Sequence, residues 1–78
     1  MAGDFITVEV AGKGPVRKYI ARNKAVVPSG STISTLISGL RIPEELRVIC
    51  MRDGKRMPPA AKLHEGDSII IISMLAGG

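Results

Sequence analysis

Four consecutive isoleucines, Ile69 to Ile72, set the strictest requirement on the fold of this chain. A strand that is apolar at every position suits a place where both faces of a sheet are covered, and it suits an edge poorly. We therefore expect the final strand, Ser68 to Ile72, to lie in the centre of a sheet. The chain has 78 residues, which is enough for one small domain that buries about 60–65% of its unfolded surface.

The remaining strands are indicated by a hydrophobic period of two residues. They are predicted at Phe5 to Val10, at Leu46 to Met51 and, as a short piece, at Lys55 to Met57. Asp53-Gly54 predicts a tight turn between the last two, and Pro58-Pro59 rules out an interior strand beyond them.

One segment changes to a helical period. Its apolar side chains recur at i, i+3, i+4 and i+7, which is typical of a helix with one buried face; they are Ile33, Leu36, Ile37 and Leu40. Ser31 or Thr32 is the expected N-cap, and Ile42-Pro43 is expected to end the helix. A helix this short is marginal alone and must pack on the sheet.

The segment before the helix is harder to interpret. Ala11-Gly12-Lys13-Gly14-Pro15 should end the first strand. Val16 to Val27 is compatible with one strand, or with two short strands separated by a turn at Asn23. Within it, Ala25-Val26-Val27 is predicted to be extended, because Pro28 restricts the residue before it.

Together these elements predict an α+β fold, with a mixed sheet of four to five strands and one helix across one face. The first and last strands are expected to run parallel in the centre. Leu63 should enter the core from a loop, and Glu65-Gly66-Asp67 should turn the chain into the last strand.

Composition narrows the class of protein. Eleven Lys and Arg against seven Asp and Glu give a net charge of +4, and Cys50 is the only cysteine. No internal disulfide is then possible, which favours a reducing compartment. No apolar run approaches the roughly 18 residues that a membrane span requires. We therefore expect a cytoplasmic protein without a membrane segment.

The last residues, Ala76-Gly77-Gly78, make a poor structural ending, because glycine loses the most conformational freedom on ordering and has no side chain to pack. We predict a domain over residues 1–75 and a mobile tail over 76–78. A tail without Cβ atoms at its tip can enter a narrow channel in another protein. Met74 and Leu75, beyond the period that the core requires, are expected either to contact a partner or to close the core.

Four motifs, in this order, carry a resemblance to a known family. They are Ser31-Thr32-Ile33-Ser34-Thr35-Leu36-Ile37, Asp53-Gly54-Lys55, Leu63-His64-Glu65-Gly66-Asp67 and Leu75-Ala76-Gly77-Gly78. In these the chain resembles the ubiquitin-like β-grasp proteins of the small sulfur-carrier type. That group contains the thiazole-biosynthesis and molybdopterin-synthase sulfur carriers and the archaeal ubiquitin-like modifiers.

The resemblance implies a carrier that other proteins act on, and not an enzyme. A ubiquitin-activating-type adenylyltransferase would transfer AMP from ATP to the Gly78 carboxylate. A persulfide from a sulfur donor such as a cysteine desulfurase would displace AMP and leave a thiocarboxylate for a sulfur-accepting synthase, in thiamine or molybdopterin biosynthesis or in tRNA thiolation. ATP and Mg²⁺ would be held by the partner, and this chain would bind no cofactor. The free protein is expected to be a monomer.

Two other functions stay open at this point. The activated Gly78 could instead be joined to lysines of target proteins, as in a ubiquitin-like modifier. Alternatively, the chain could be a β-grasp interaction module in which the terminal glycines have no role.

Other candidate chemistry is sparse. Cys50 is predicted to be packed and His64 to lie in a surface loop, since a metal site needs three or four clustered ligands. Glu65 and Asp67 are interpreted as turn formers and not as an acid–base pair.

A basic cluster surrounds Tyr19 and consists of Lys13, Arg17, Lys18, Arg22 and Lys24. It is compatible with a solvated edge, with docking onto an acidic activating enzyme, or with RNA. Nucleic acid is the least favoured of the three, because few aromatic residues are present for stacking.

Overall fold

Five strands form one mixed sheet in the computed structural model, which describes residues 4–43 and 45–74 and, for Met74, the backbone alone. In chain order they are β1 (Phe5–Lys13), β2 (Lys24–Pro28), β3 (Arg47–Arg52), β4 (Lys55–Met57) and β5 (Ser68–Met74). Their order across the sheet is β2-β1-β5-β3-β4. The strand with the isoleucine run therefore lies in the centre, as predicted.

The pairing of the strands confirms the predicted mixed sheet. β1 and β5 are parallel, with Val10 opposite Ile69. β2 is antiparallel to β1, and β3 is antiparallel to both β4 and β5. Because β1 and β5 run in the same direction, the end of β1 and the end of β5 lie at the same end of the sheet.

Helix α1 (Ile33–Gly39) lies on one face of the sheet. Its N-cap is Thr32, whose hydroxyl accepts a hydrogen bond from the backbone N–H of Thr35 at 3.3 Å. The helix ends earlier than the predicted stop at Ile42-Pro43. The N–H of Leu40 already bonds to carbonyls of the last turn, and Arg41 takes a left-handed φ of 57°, which an α-helix cannot continue.

The prediction for Val16 to Val27 is wrong in its first half. Gly14–Tyr19 forms a 3₁₀ helix, called here the 3₁₀ segment, with Pro15 in its first turn. Val16 is fully buried and belongs to the core, so the segment covers part of it. Ala25-Val26-Val27 is extended within β2, as predicted.

β1 and β5 both extend beyond their predicted ends. β1 continues through Ala11 and Gly12 to Lys13, because these residues pair with β5. β5 continues past Ile72 to Met74, because Arg47 of β3 pairs with that last residue. Neither extension can be predicted from the hydrophobic pattern of the strand itself, since each depends on pairing with a neighbouring strand.

The core lies between the sheet and its two helical segments. Its fully buried side chains include Val8, Ile33, Ile69 and Ile71, and Leu63 enters from its loop as predicted. In the described part of the chain, no helix has the length and apolar character needed to cross a membrane.

Candidate functional site

The predicted acyl tail follows β5 in the sequence. Met74, the last described position, pairs through its backbone with Arg47 of β3. The side chain of Met74 and all of Leu75, Ala76, Gly77 and Gly78 lie outside the described residues. The predicted partner contacts, the proposed activation site at Gly78 and the boundary between domain and tail therefore remain predictions.

Ser73 attaches the 3₁₀ segment to the end of β5. Its side chain is buried, and its hydroxyl accepts a hydrogen bond from the N–H of Val16 at 2.9 Å. The same hydroxyl lies 3.3 Å from the carbonyl oxygen of Lys13, to which it donates. These two hydrogen bonds of Ser73, to Val16 and Lys13, are called here the clamp, and they hold the chain one residue before Met74.

Gly14 makes this clamp sterically possible. Its φ is +82°, a region that favours glycine. A Cβ at this position would lie 2.8 Å from the Ser73 hydroxyl oxygen and 3.0 Å from the Ser73 carbonyl oxygen. Both the backbone conformation and the close approach therefore require glycine here.

A second set of polar contacts holds the start of β5. The Asp67 carboxylate oxygen Oδ2 accepts hydrogen bonds from Arg52 Nη1 at 2.7 Å and from the N–H of His64 at 2.8 Å. Glu65 Oε1 accepts from the N–H of Thr7 at 2.9 Å. Both carboxylates thus hold the turn, which confirms their interpretation as turn formers. β5 is fixed at both ends.

The face of the sheet opposite α1 carries an apolar patch that the sequence interpretation missed. It consists of Ile49, Met51, Ile70 and Ile72, all half-buried, and is called here the open-face patch. Ile49 lies opposite Ile72, and Met51 lies opposite Ile70. The two helical segments of the described residues pack on the other face, so this patch is covered by neither.

This patch also corrects the interpretation of the isoleucine run. Ile69 and Ile71 are fully buried, but Ile70 and Ile72 are only half-buried. The signal was present in β3, where Ile49 and Met51 alternate with residues that face the core. One short helix can cover only one face of such a sheet.

Cys50 and His64 lie where the sequence predicts. Cys50 is buried, and its burial raises the pKa of the thiol from 9.0 to about 11, which disfavours the reactive thiolate. The side chain of His64 is 72% exposed in a loop. The described residues contain no group of three or more side chains suited to hold a metal ion.

The predicted basic cluster is exposed and lies partly beside the clamp. Arg17 and Lys18 occupy the last turn of the 3₁₀ segment, and Lys13 ends β1. Lys18 Nζ lies 5.4 Å from the centre of the Tyr19 ring, within range of a cation–π interaction.

Solved structures similar to this one define the class of fold. A putative molybdopterin converting factor subunit 1 from Pyrococcus furiosus has a TM-score of 0.68 and 15% identity, covering 90% of this chain and 99% of that chain. The small archaeal modifier protein 1 of H. volcanii has a TM-score of 0.65 and 11% identity, covering 86% and 95%. Caldiarchaeum subterraneum ubiquitin has a TM-score of 0.64 and 9% identity, covering 96% and 100%. The fold is the ubiquitin-like β-grasp fold, as predicted.

The sequence places the chain within that class. The model of the ThiS family matches residues 14–78, and the chain belongs to this family. Members of the family are small carrier proteins that are generally not enzymes themselves, and they work with activating and sulfur-accepting enzymes. No curated protein sequence matches the chain significantly.

Proposed function

We propose that this protein is a sulfur carrier whose Gly78 carboxylate is adenylated by a partner enzyme and converted to a thiocarboxylate. The observation that carries the proposal is the match of the ThiS family over residues 14–78, which includes the terminal Gly77-Gly78. The clamp at Ser73 supports it, because a rigid starting point lets a partner locate a short tail at little entropic cost.

The proposed chemistry proceeds by substitution at the terminal carbonyl. The Gly78 carboxylate attacks the α-phosphorus of ATP, and pyrophosphate leaves. A persulfide sulfur then attacks the carbonyl carbon, and AMP leaves as the C–O bond breaks. A thiol next cleaves the resulting acyl persulfide, which leaves a thiocarboxylate on Gly78 and a disulfide on the donor protein. Dividing one difficult exchange into such steps is the principle of covalent catalysis.

In this proposal, partner proteins supply ATP, Mg²⁺ and the persulfide sulfur. The buried Cys50, with its raised pKa, is unsuited to carry the sulfur. We therefore assign ATP and Mg²⁺ to a ubiquitin-activating-type adenylyltransferase, the persulfide to a donor such as a cysteine desulfurase, and the product to a sulfur-accepting synthase. Ala76, Gly77 and Gly78 enter the partner's channel, while Met74, Leu75 and the open-face patch contact its surface.

The test is mass spectrometry of the protein isolated from its native host. We expect a fraction in which one oxygen of the C-terminal carboxylate is replaced by sulfur. In vitro, the adenylyltransferase from the same genome should catalyse ATP–pyrophosphate exchange with the full chain and not with a chain that lacks Gly78. A terminus that stays unmodified, together with no exchange, contradicts the proposal.

The second candidate function is a protein modifier, favoured by the structural similarity to the small archaeal modifier protein 1. The same adenylate would then be attacked by a lysine amine of a target protein. Immunoblots of host lysate with a tagged chain distinguish the two. A ladder of larger conjugates that disappears on deletion of Gly78 indicates modification, and free protein alone indicates carriage.

A further inference from the structure

We propose that Lys13, Arg17, Lys18 and Arg22, called here the basic collar, form an electrostatic docking surface for an acidic patch on the activating enzyme. This inference rests on the proposed function, since it concerns the protein that receives the tail. It adds to that function a contact through charged side chains, one of which, Lys13, lies opposite Ile72 of the open-face patch.

The charge of the chain is strongly uneven along the sequence. Residues 10–43 contain six Lys or Arg and no Asp or Glu, whereas the other residues contain five basic and seven acidic side chains. All four collar residues are exposed. In the described part of the chain, the ion pairs within 4 Å all involve Asp67, at the opposite end of β5. The collar cations are therefore available to an external anion.

The clamp fixes the collar beside the start of the tail. Ser73 bonds to the N–H of Val16, which directly precedes Arg17, and to the carbonyl of Lys13. Arg17 and Arg22 also line one shallow cleft beside the end of β1. Lys13 and Arg17 thus flank the clamp in sequence, Lys18 directly follows Arg17, and the cleft joins Arg22 to Arg17.

The short length of the tail forces any protein that engages it to approach the collar. Gly78 is five residues beyond Ser73, and an extended chain spans at most about 3.5 Å per residue, or roughly 17 Å in total. A globular partner with its active site at Gly78 must therefore place part of its surface close to the collar. Acidic side chains of that surface that come within about 8 Å of the collar, the Debye length at physiological salt, would be attracted with only partial screening.

The local chemistry favours an acidic protein over RNA. Proteins that bind single-stranded RNA combine a positively charged groove with aromatic rings on which successive bases stack. Tyr19 is the only aromatic residue of the 3₁₀ segment, and the ammonium group of Lys18 lies near its ring. The other aromatic residue of the chain, Phe5, lies at the opposite end of β1.

The test compares charge reversal in the collar with charge reversal elsewhere. Arg17→Glu/Lys18→Glu removes two cations and adds two anions beside the tail. The matched control, Lys55→Glu/Lys62→Glu, makes the same change in net charge at exposed positions near the far end of the sheet. ATP–pyrophosphate exchange by the adenylyltransferase is measured at varied carrier concentration and at low and high salt.

We expect the collar variant to lower kcat/KM about tenfold at low salt, in line with electrostatic steering of association. Its kcat should match that of the unaltered chain, and the difference should shrink near 1 M salt, where the Debye length is about 3 Å. The control variant should change kcat/KM by less than about twofold. Circular dichroism and urea unfolding verify that both variants are folded.

Three results overturn the inference. One is equal kcat/KM for the collar variant and the unaltered chain, with exchange still dependent on Gly78. The second is an equal loss of kcat/KM in the control variant, which indicates that only the net charge of the protein matters. The third is salt-dependent binding of single-stranded RNA that the collar variant loses while its exchange stays normal. No exchange even by the unaltered chain refutes the proposed function itself.

Discussion

Replacing Ser73 by alanine tests whether the clamp near the end of β5 stabilises the fold. The substitution removes the oxygen that accepts the buried N–H of Val16 at 2.9 Å, and also the donor to the carbonyl of Lys13. A buried N–H left without a partner costs about 1–3 kcal/mol. The second contact, at 3.3 Å, is longer and adds less. We therefore expect the free energy of unfolding to fall by about 2 kcal/mol.

Urea unfolding followed by circular dichroism measures this loss. The midpoint should fall while the m-value stays unchanged, since the same surface is exposed on unfolding. For a chain of this size, about 2 kcal/mol corresponds to a melting temperature lower by roughly 8–16 °C. Gly14→Ala should cost more than Ser73→Ala, because it adds backbone strain at a φ of +82° and a contact of 3.0 Å with a backbone oxygen.

The control is Ser68→Ala, the same change at the exposed first residue of β5. Surface substitutions of this kind usually alter stability by less than about 0.5 kcal/mol. If Ser73→Ala were equally mild, the N–H of Val16 would have to find another partner, and the clamp would not hold the 3₁₀ segment on β5. A lowered m-value would instead indicate a change in the compactness of the native or unfolded state.

Two further predictions concern Asp67 and Cys50. Asp67→Ala should lower the free energy of unfolding by about 2–3 kcal/mol, because it leaves the partly buried Arg52 without its carboxylate; Asp4→Ala, at an exposed position, is the control, and equal effects in urea unfolding would contradict the assigned role. For Cys50, burial raises the pKa of the thiol in the folded state from 9.0 to about 11. Its contribution to stability is therefore complete below pH 9.0 and is lost as the pH rises towards 11. Cys50→Ala should flatten the decline in unfolding free energy over that interval, and a slope identical to that of the unaltered chain would refute this assignment. A thiol reagent should label Cys50 of the native protein far more slowly than that of the urea-unfolded chain.

Local patterns that depend on near neighbours were predictable from the sequence. Alternation located the strands, the i, i+3, i+4 stripe located α1, and Asp53-Gly54 located the hairpin, whose residues take φ values of 54° and 76°. The isoleucine run further placed β5 in the centre of the sheet. In each case the determining interactions lie within a few residues, or follow from the need to bury an apolar face.

The 3₁₀ segment was not predictable in this way, because its conformation depends on residues almost sixty positions away. The N–H of Val16 and the carbonyl of Lys13 are hydrogen-bonded to Ser73. The sequence pattern of Val16 to Tyr19 does not predict that contact. The extra length of β1 and β5 has the same origin, since each is completed by pairing with a distant strand.

For function, the sequence by itself supplied a candidate, the activation site predicted at Gly78, and the family, whose model matches residues 14–78. Only the tertiary structure decided what surrounds the end of β5: a buried hydroxyl, a glycine where a Cβ would clash with that hydroxyl, exposed cations, and an apolar patch on the face that the described helical segments do not cover. The reason is physical. A tail's chemistry is carried by its own covalent groups, whereas its surroundings are assembled by strand pairing and packing between segments far apart in the chain.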